Sequence, residues 1–213
     1  MDINWYGQSM FRLKGKTSSV VIDPYSSELT GLKLPKDLEA NVVLSTHDHS
    51  DHNNIEVIGG NPVVITGPGE YEISGVSIVG VGTYHDSVSG SERGNNTIFH
   101  LLMDGINIVH LGDLGHLLSE EQLSQIDETD ILFIPVGGNY TIDAENAAKV
   151  VAQLEPRIVI PMHYQIPGLK AEVSGVEEFL KEMGAENITP LGKFSITKDK
   201  LPEETQVVVL SKS

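Results

Sequence analysis

His47-Asp48-His49-Ser50-Asp51-His52 places five potential metal ligands in six residues, just after the apolar run Val42-Val43-Leu44. A chain with this segment has to end a buried strand at a polar loop. Imidazole and carboxylate are the donors that hold zinc and its first-row neighbours, and a His-x-His pair followed by Asp-His can serve two ions from one tight loop. Extended backbone points alternate side chains the same way, so His47 and His49 can chelate one ion together while Asp48 points away. A solvated polar turn is the alternative. With eight histidines in 213 residues, three in six positions is a poor match to chance.

The pattern H-x-H-x-D-H resembles the signature of the metallo-β-lactamase fold hydrolases, and further likeness runs the length of the chain. Trp5-Tyr6-Gly7-Gln8-Ser9 and Ile22-Asp23-Pro24 look like that superfamily's first hairpin. Thr83-Tyr84-His85, His110-Leu111-Gly112-Asp113 and Pro161-Met162-His163-Tyr164 match, in order, the stations that supply its remaining ligands. Within the superfamily the nearest likeness is to the small branch that includes the L-ascorbate-6-phosphate lactonases. The resemblance implies an α/β fold, a four-layer αββα sandwich, with residues 1–213 forming one domain. It also implies two divalent ions, zinc first, with manganese or iron accepted by the same donors. His47, His49 and His85 would serve one ion, Asp51, His52 and His163 the other, with Asp113 shared. Substrate does not follow, because one scaffold hosts many chemistries.

Hydrophobic residues make up 39% of the chain, no apolar run approaches the roughly 18 residues of a membrane span, and Met1-Asp2-Ile3-Asn4 has no basic leader. A soluble, cytoplasmic protein without membrane contact is expected. With no cysteine, disulfides, thiolate ligands and a thiol nucleophile are excluded. The formal charge is −16, from 30 acidic against 14 basic residues, and no basic stripe is present to release counterions from nucleic acid. A small-molecule substrate is expected instead. It can be anionic, since metal ions dominate the field close to them.

The first half reads as strands over 3–6, 10–13, 20–22, 42–45, 63–66, 76–81, 97–103 and 106–110, the last two joined by the hairpin signal Asp104-Gly105. The second half alternates strand and helix. Ser119-Glu120-Glu121-Gln122 is a capping-box start, followed by a strand over 131–135; a helix from Ile142-Asp143 to about 154 precedes a strand over 157–161. Ser174-Gly175-Val176-Glu177 reads as a second capping box whose helix stops at Gly184, with terminal strands over 194–197 and 206–210.

Other polar residues are assigned by their nearness to the ligands. Asp23 and His110 are expected behind the centre, holding ligand orientation. His116, three residues past Asp113, lies close to the site and is a candidate for the substrate cleft, while His100 is expected at an exposed sheet position. Arg93 is the cationic side chain in the flexible-looking loop after His85, and the first choice for an anion contact if the substrate is a phosphate ester. Asn139 and Tyr164 are candidates for contacts to developing charge. Gln8 stands where the family often carries histidine.

The chemistry implied is hydrolysis by a metal-bridged hydroxide, formed from water whose pKa falls from ~15.7 towards about 7, with Asp51 orienting it or accepting its proton. Phosphodiesters and lactones are the leading substrates. A non-catalytic metal- or partner-binding module on the same fold is the alternative, although all seven expected ligand positions are filled. A flavodi-iron oxidoreductase is disfavoured by His49, where those proteins usually carry an acid. Glyoxalase-type thioesterases commonly continue the motif with glycines, where this chain has Asn53-Asn54.

Overall fold

A computed structural model describes residues 1–126 and 128–213. β1 (Asp2–Gly7), β2 (Met10–Lys14) and β3 (Ser19–Ile22) lead through a one-turn helix, α1 (Ser27–Thr30), to β4 (Val42–Leu44) and β5 (Val63–Ile65). β6 (Gly69–Ile73), β7 (Val76–Tyr84), β8 (Asn95–Met103) and β9 (Ile106–His110) follow, then α2 (Glu120–Ser124), β10 (Ile131–Pro135), α3 (Ala144–Leu154), β11 (Ile158–Met162) and α4 (Glu177–Glu182). The short strands β12 (Phe194–Ser195) and β13 (Gln206–Val207) close the chain. One sheet has the order β12-β1-β2-β3-β4-β5 and the other β13-β11-β10-β9-β8-β7-β6.

Strand direction decides where a site can form. β2 is antiparallel to both β1 and β3, and β4 is parallel to β3, so β1, β3 and β4 share one direction. In the second sheet β8 is antiparallel to β7 and β9, while β10 and β11 are parallel to β9, so β7, β9, β10 and β11 also agree. Each sheet therefore releases the loops that follow these strands at a single edge. Gln8, Asp23, the histidine-rich loop, His85, Asp113 and His163 all lie on such loops.

Period-two alternation divides the first sheet's residues between two cores. Trp5, Phe11, Leu13, Ile22 and Leu44 join Ile78, Phe99, Ile108 and Phe133 of the second sheet in the larger one, where the rings of Phe11 and Phe133 stack at 4.1 Å. Fully burying a side chain of this kind contributes about 1.5–3 kcal/mol. The alternate residues Tyr6, Met10, Val21 and Val43 pack beneath Leu32, Leu38, Ile58 and Leu169. Ala147 and Val150 of α3, with Phe179 and Leu180 of α4, extend the larger core beyond the second sheet. The layered α/β sandwich is as the sequence implies, although the first sheet's outer cover is mostly loop, with α1 contributing a single turn.

Asp104 and Gly105 both have positive φ, 53° and 77°, the requirement of a two-residue hairpin turn whose twist matches its strands. Ser119 caps α2 with a reciprocal capping box, and Asp143 caps α3. Four expectations need correction. The Ser174 capping box does not form: α4 starts after Val176 without a side-chain cap, because the Ser174 backbone is bonded to Gly137 and Gln165 instead. His100 is buried, since β8 is flanked by β7 and β9 and covered on both faces. The sequence reading missed β6, whose Glu70 and Glu72 face outward on an edge strand and so present no apolar run. The segment after His85 is also not loose. Buried Asp86 accepts hydrogen bonds from the backbone N–H groups of Val88, Gly90, Glu92 and Arg93 at 2.8–2.9 Å.

Candidate metal centre

Seven side chains from four loops meet at the shared edge. His47, His49 and His85 offer ligand atoms all within 4.8 Å of one another, and so do Asp51, His52 and His163. Asp113 lies between the two groups. Its Oδ2 is 3.3 Å from His85 Nε2, 3.2 Å from His52 Nε2 and 3.1 Å from His163 Nε2. Asp48 points away, as alternation requires, and is exposed with Asn53 donating to it.

The hydrogen-bond network fixes how two of the rings present themselves. Asp23, fully buried, accepts from Thr46 N–H and Thr46 Oγ1, both at 2.8 Å, and from His52 Nδ1 at 3.0 Å. Thr46 Oγ1 spends its proton on Asp23, so it accepts from His47 Nδ1 at 2.9 Å. Both imidazoles therefore have a proton on Nδ1 and turn Nε2 inward, where His47 Nε2 is buried without a hydrogen-bond partner and His52 Nε2 faces Asp113 Oδ2 at 3.2 Å. A buried polar atom left without a partner costs about 1–3 kcal/mol, and a cation accepting its lone pair removes that cost. Inward nitrogens flanked by two carboxylates fit divalent metal ions. The Nδ1 atoms of His85 and His163, on the other side of their rings, also lack partners.

Without such ions the charges compensate one another. Burial depresses His47 to about 2, aided by His52, and burial with His85 lowers His49; both are neutral donors. Burial alone would lower His52 too, but Asp113 and Asp23 override it and hold it well above the usual histidine range. Burial pushes the Asp113 carboxyl up, yet His163 and His52 outweigh it and keep the group ionised. Asp51 is held below the ordinary carboxylate range, chiefly by His52 against the effect of burial.

A supporting layer lies behind. His110 Nδ1 accepts from Gly112 N–H at 3.1 Å, so Nε2 carries the proton and donates to Ser9 O at 2.9 Å, and burial lowers its pKa. Ser9 Oγ donates to Asp113 Oδ1 at 3.1 Å. Gln8 Nε2 lies 3.1 Å from both Asp51 Oδ2 and His163 Nε2. Asn96 was not foreseen from sequence: its Oδ1 accepts from Asp113 N–H at 3.0 Å and its Nδ2 donates to Leu111 O at 2.9 Å. Gly112, at φ +56°, passes so close that a Cβ would lie 2.7 Å from Thr46 Cβ, which explains why no side chain stands there.

A cavity of about 430 Å³ opens over the ligands, lined by Gln8, Asp51, Arg93, Tyr140, Leu169 and Lys170 among others. Arg93, on the loop after His85, lines this cavity; three other candidates do not. His116 lines a separate groove and bonds to Tyr84 N–H and Leu117 O. Tyr164 is buried against Trp5 with its hydroxyl on Leu210 O, because its neighbour His163 turns at φ 51° and the two side chains part. Asn139 holds Glu172 O, and Tyr140 beside it lines the cavity instead. Tyr140 and Lys170 had no sequence signal, since neither belongs to a ligand-bearing motif.

Two facing mixed sheets that deliver histidines and aspartates from their loops to one edge define the metallo-β-lactamase class of metal-dependent hydrolases. A family model described as a beta-lactamase superfamily domain matches residues 2–163. A UPF0173 metal-dependent hydrolase of Thermoplasma acidophilum is 32% identical over 77% of this chain and 83% of its own, and one of Thermococcus onnurineus is 32% identical over 86% and 92%. A solved Thermotoga maritima structure, assigned to the zinc-dependent hydrolases of the superfamily, is 35% identical with a TM-score of 0.81, covering 98% of this chain and 97% of that one. The chain belongs to the UPF0173 metal-dependent hydrolases. These relatives carry that description rather than the lactonase one suggested by the motifs.

Proposed function

We propose that this hydrolase holds two divalent ions, zinc first, and cleaves a small-molecule ester, with phosphodiesters and lactones the leading classes. The observation that carries the reading is Asp113 Oδ2, within 3.3 Å of histidines from both ligand groups. His47, His49 and His85 would hold one ion and Asp51, His52 and His163 the other, with Asp113 common to both. When bound, such ions polarise an ester or phosphoryl oxygen and acidify water to about pKa 7. The residues do the rest. Asp51, partly exposed in the cavity lining, orients the attacking water or takes its proton. Gln8 Nε2 restrains Asp51 Oδ2, and the Asp23–Thr46–His47 chain keeps the ligand rings in register. The test is elemental analysis paired with chromogenic phosphodiesters, lactones and thioesters. Two metals per chain, with phosphodiester or lactone turnover that chelation abolishes and zinc or manganese restores, is expected. Full metal occupancy without turnover of any of them would favour a binding module.

A further inference from the structure

We infer that the substrate is an ester carrying a second, oxyanionic group, a carboxylate or phosphate, bound by Arg93 and Lys170; this rests on the hydrolase reading above. The acids lining the cavity, Asp51 and Asp113, belong to the ligand groups, so the charged side chains left to meet the body of a substrate are Arg93 and Lys170. That is a distinctive lining for a chain of net charge −16. Four cations away from the cavity, Lys149, Arg157, Lys193 and Lys198, lie 2.7–3.6 Å from a carboxylate.

Around the cavity Arg93 and Lys170 bond to backbone carbonyls, and Arg93 meets one exposed carboxylate only at the limit of an ion pair. Lys170 Nζ donates to Glu28 O at 2.7 Å. The Arg93 guanidinium lies 5.7 Å from the centroid of the Tyr140 ring and donates through one Nη to Asn139 O at 3.2 Å. The carboxylate nearest in sequence, Glu92, is 4.0 Å away and largely exposed. Arg93 is also fixed at its root, where Asp86 accepts its backbone N–H at 2.8 Å along with three others of the same loop. A guanidinium set in place with most of its five donors uncommitted is a preorganised fork for an oxyanion. Leu29, Leu169 and Tyr140 supply apolar wall for the carbon chain between the scissile group and that anion.

The test compares three probes with a common carboxylate end, pentanoate, glutarate and 4-phosphonobutyrate, binding to the zinc-loaded protein by calorimetry at low salt. Glutarate or 4-phosphonobutyrate should bind about tenfold or more tightly than pentanoate, the scale of a charge-assisted hydrogen bond, and the stronger of the two identifies the group. In the double variant Arg93→Gln, Lys170→Gln, with zinc content checked, that advantage should collapse to about threefold or less. Equal binding of all three probes by the wild type, or an advantage that survives in the double variant, overturns the inference. Turnover is read separately, with p-nitrophenyl butyrate and the p-nitrophenyl monoester of glutarate. If neither is cleaved nor any phosphodiester or lactone in the broader screen, the hydrolase reading fails while the binding ratio still judges the anion site.

Discussion

Asp51 and His52 are adjacent in sequence and do different things. Asp51 is partly exposed in the cavity, whereas His52 is fully buried between Asp23 and Asp113. Asp51→Asn keeps the shape but removes the charge and the basic site, so turnover should fall about 10²-fold or more. Metal content measured in the same sample separates this from ligand loss; near-wild-type turnover with both metals bound would remove Asp51 from the mechanism. His52 gives a pH signature. Its folded pKa is raised, chiefly by Asp113 against burial, so the metal-free protein holds a proton there at neutral pH. That proton stabilises the metal-free fold below the ordinary histidine value of 6.5 and the effect is lost as pH rises through the raised value. A metal must displace it. Binding should release about one proton from this group and tighten as pH rises, which calorimetry in buffers of different ionisation heat reads directly.

At the scale of elements, the histidine-rich loop was legible because its ligands are contiguous and follow an apolar strand. His85, Asp113 and His163 were legible only through the family resemblance. Nothing local distinguishes a histidine after β7 from a surface one; the shared direction of β7, β9 and β11 makes them converge. Asn96, Thr46 and Asp86 were missed for the same reason, since their hydrogen-bond partners lie on other elements or depend on a loop's closed shape. The Asp86 loop shows this most clearly: Ser, Gly and Val in sequence look mobile, yet one carboxylate gathers four N–H groups. Burial opposes but those bonds depress the Asp86 pKa, so the stabilisation its carboxylate contributes is fully present above the ordinary carboxylate value of 3.8 and is lost as pH falls through the lower folded value. Asp86→Ala should raise amide exchange at Val88, Gly90, Glu92 and Arg93 by about tenfold or more while strand β8 remains protected. Unchanged exchange at those four positions would mean that the loop is held by something else.

On the whole molecule, the two sheets bring the ligands to one edge, and the net charge of −16 governs what approaches from a distance. Among the described residues, no helix is long and apolar enough to cross a membrane. Binding to nucleic acid is not expected at physiological salt, because counterion release needs basic contacts; tight, salt-sensitive association with RNA or DNA oligomers in a titration would contradict this. The proposed two-ion centre joined by Asp113 lies at this edge. Anomalous diffraction at the zinc edge, from crystals grown in saturating zinc at a pH that keeps the histidines neutral, tests it most directly. Two peaks are expected, one among His47, His49 and His85 and one among Asp51, His52 and His163, each at about 2.0–2.2 Å from its ligands and both bound by Asp113. A single peak, or two peaks that do not share Asp113, would contradict it.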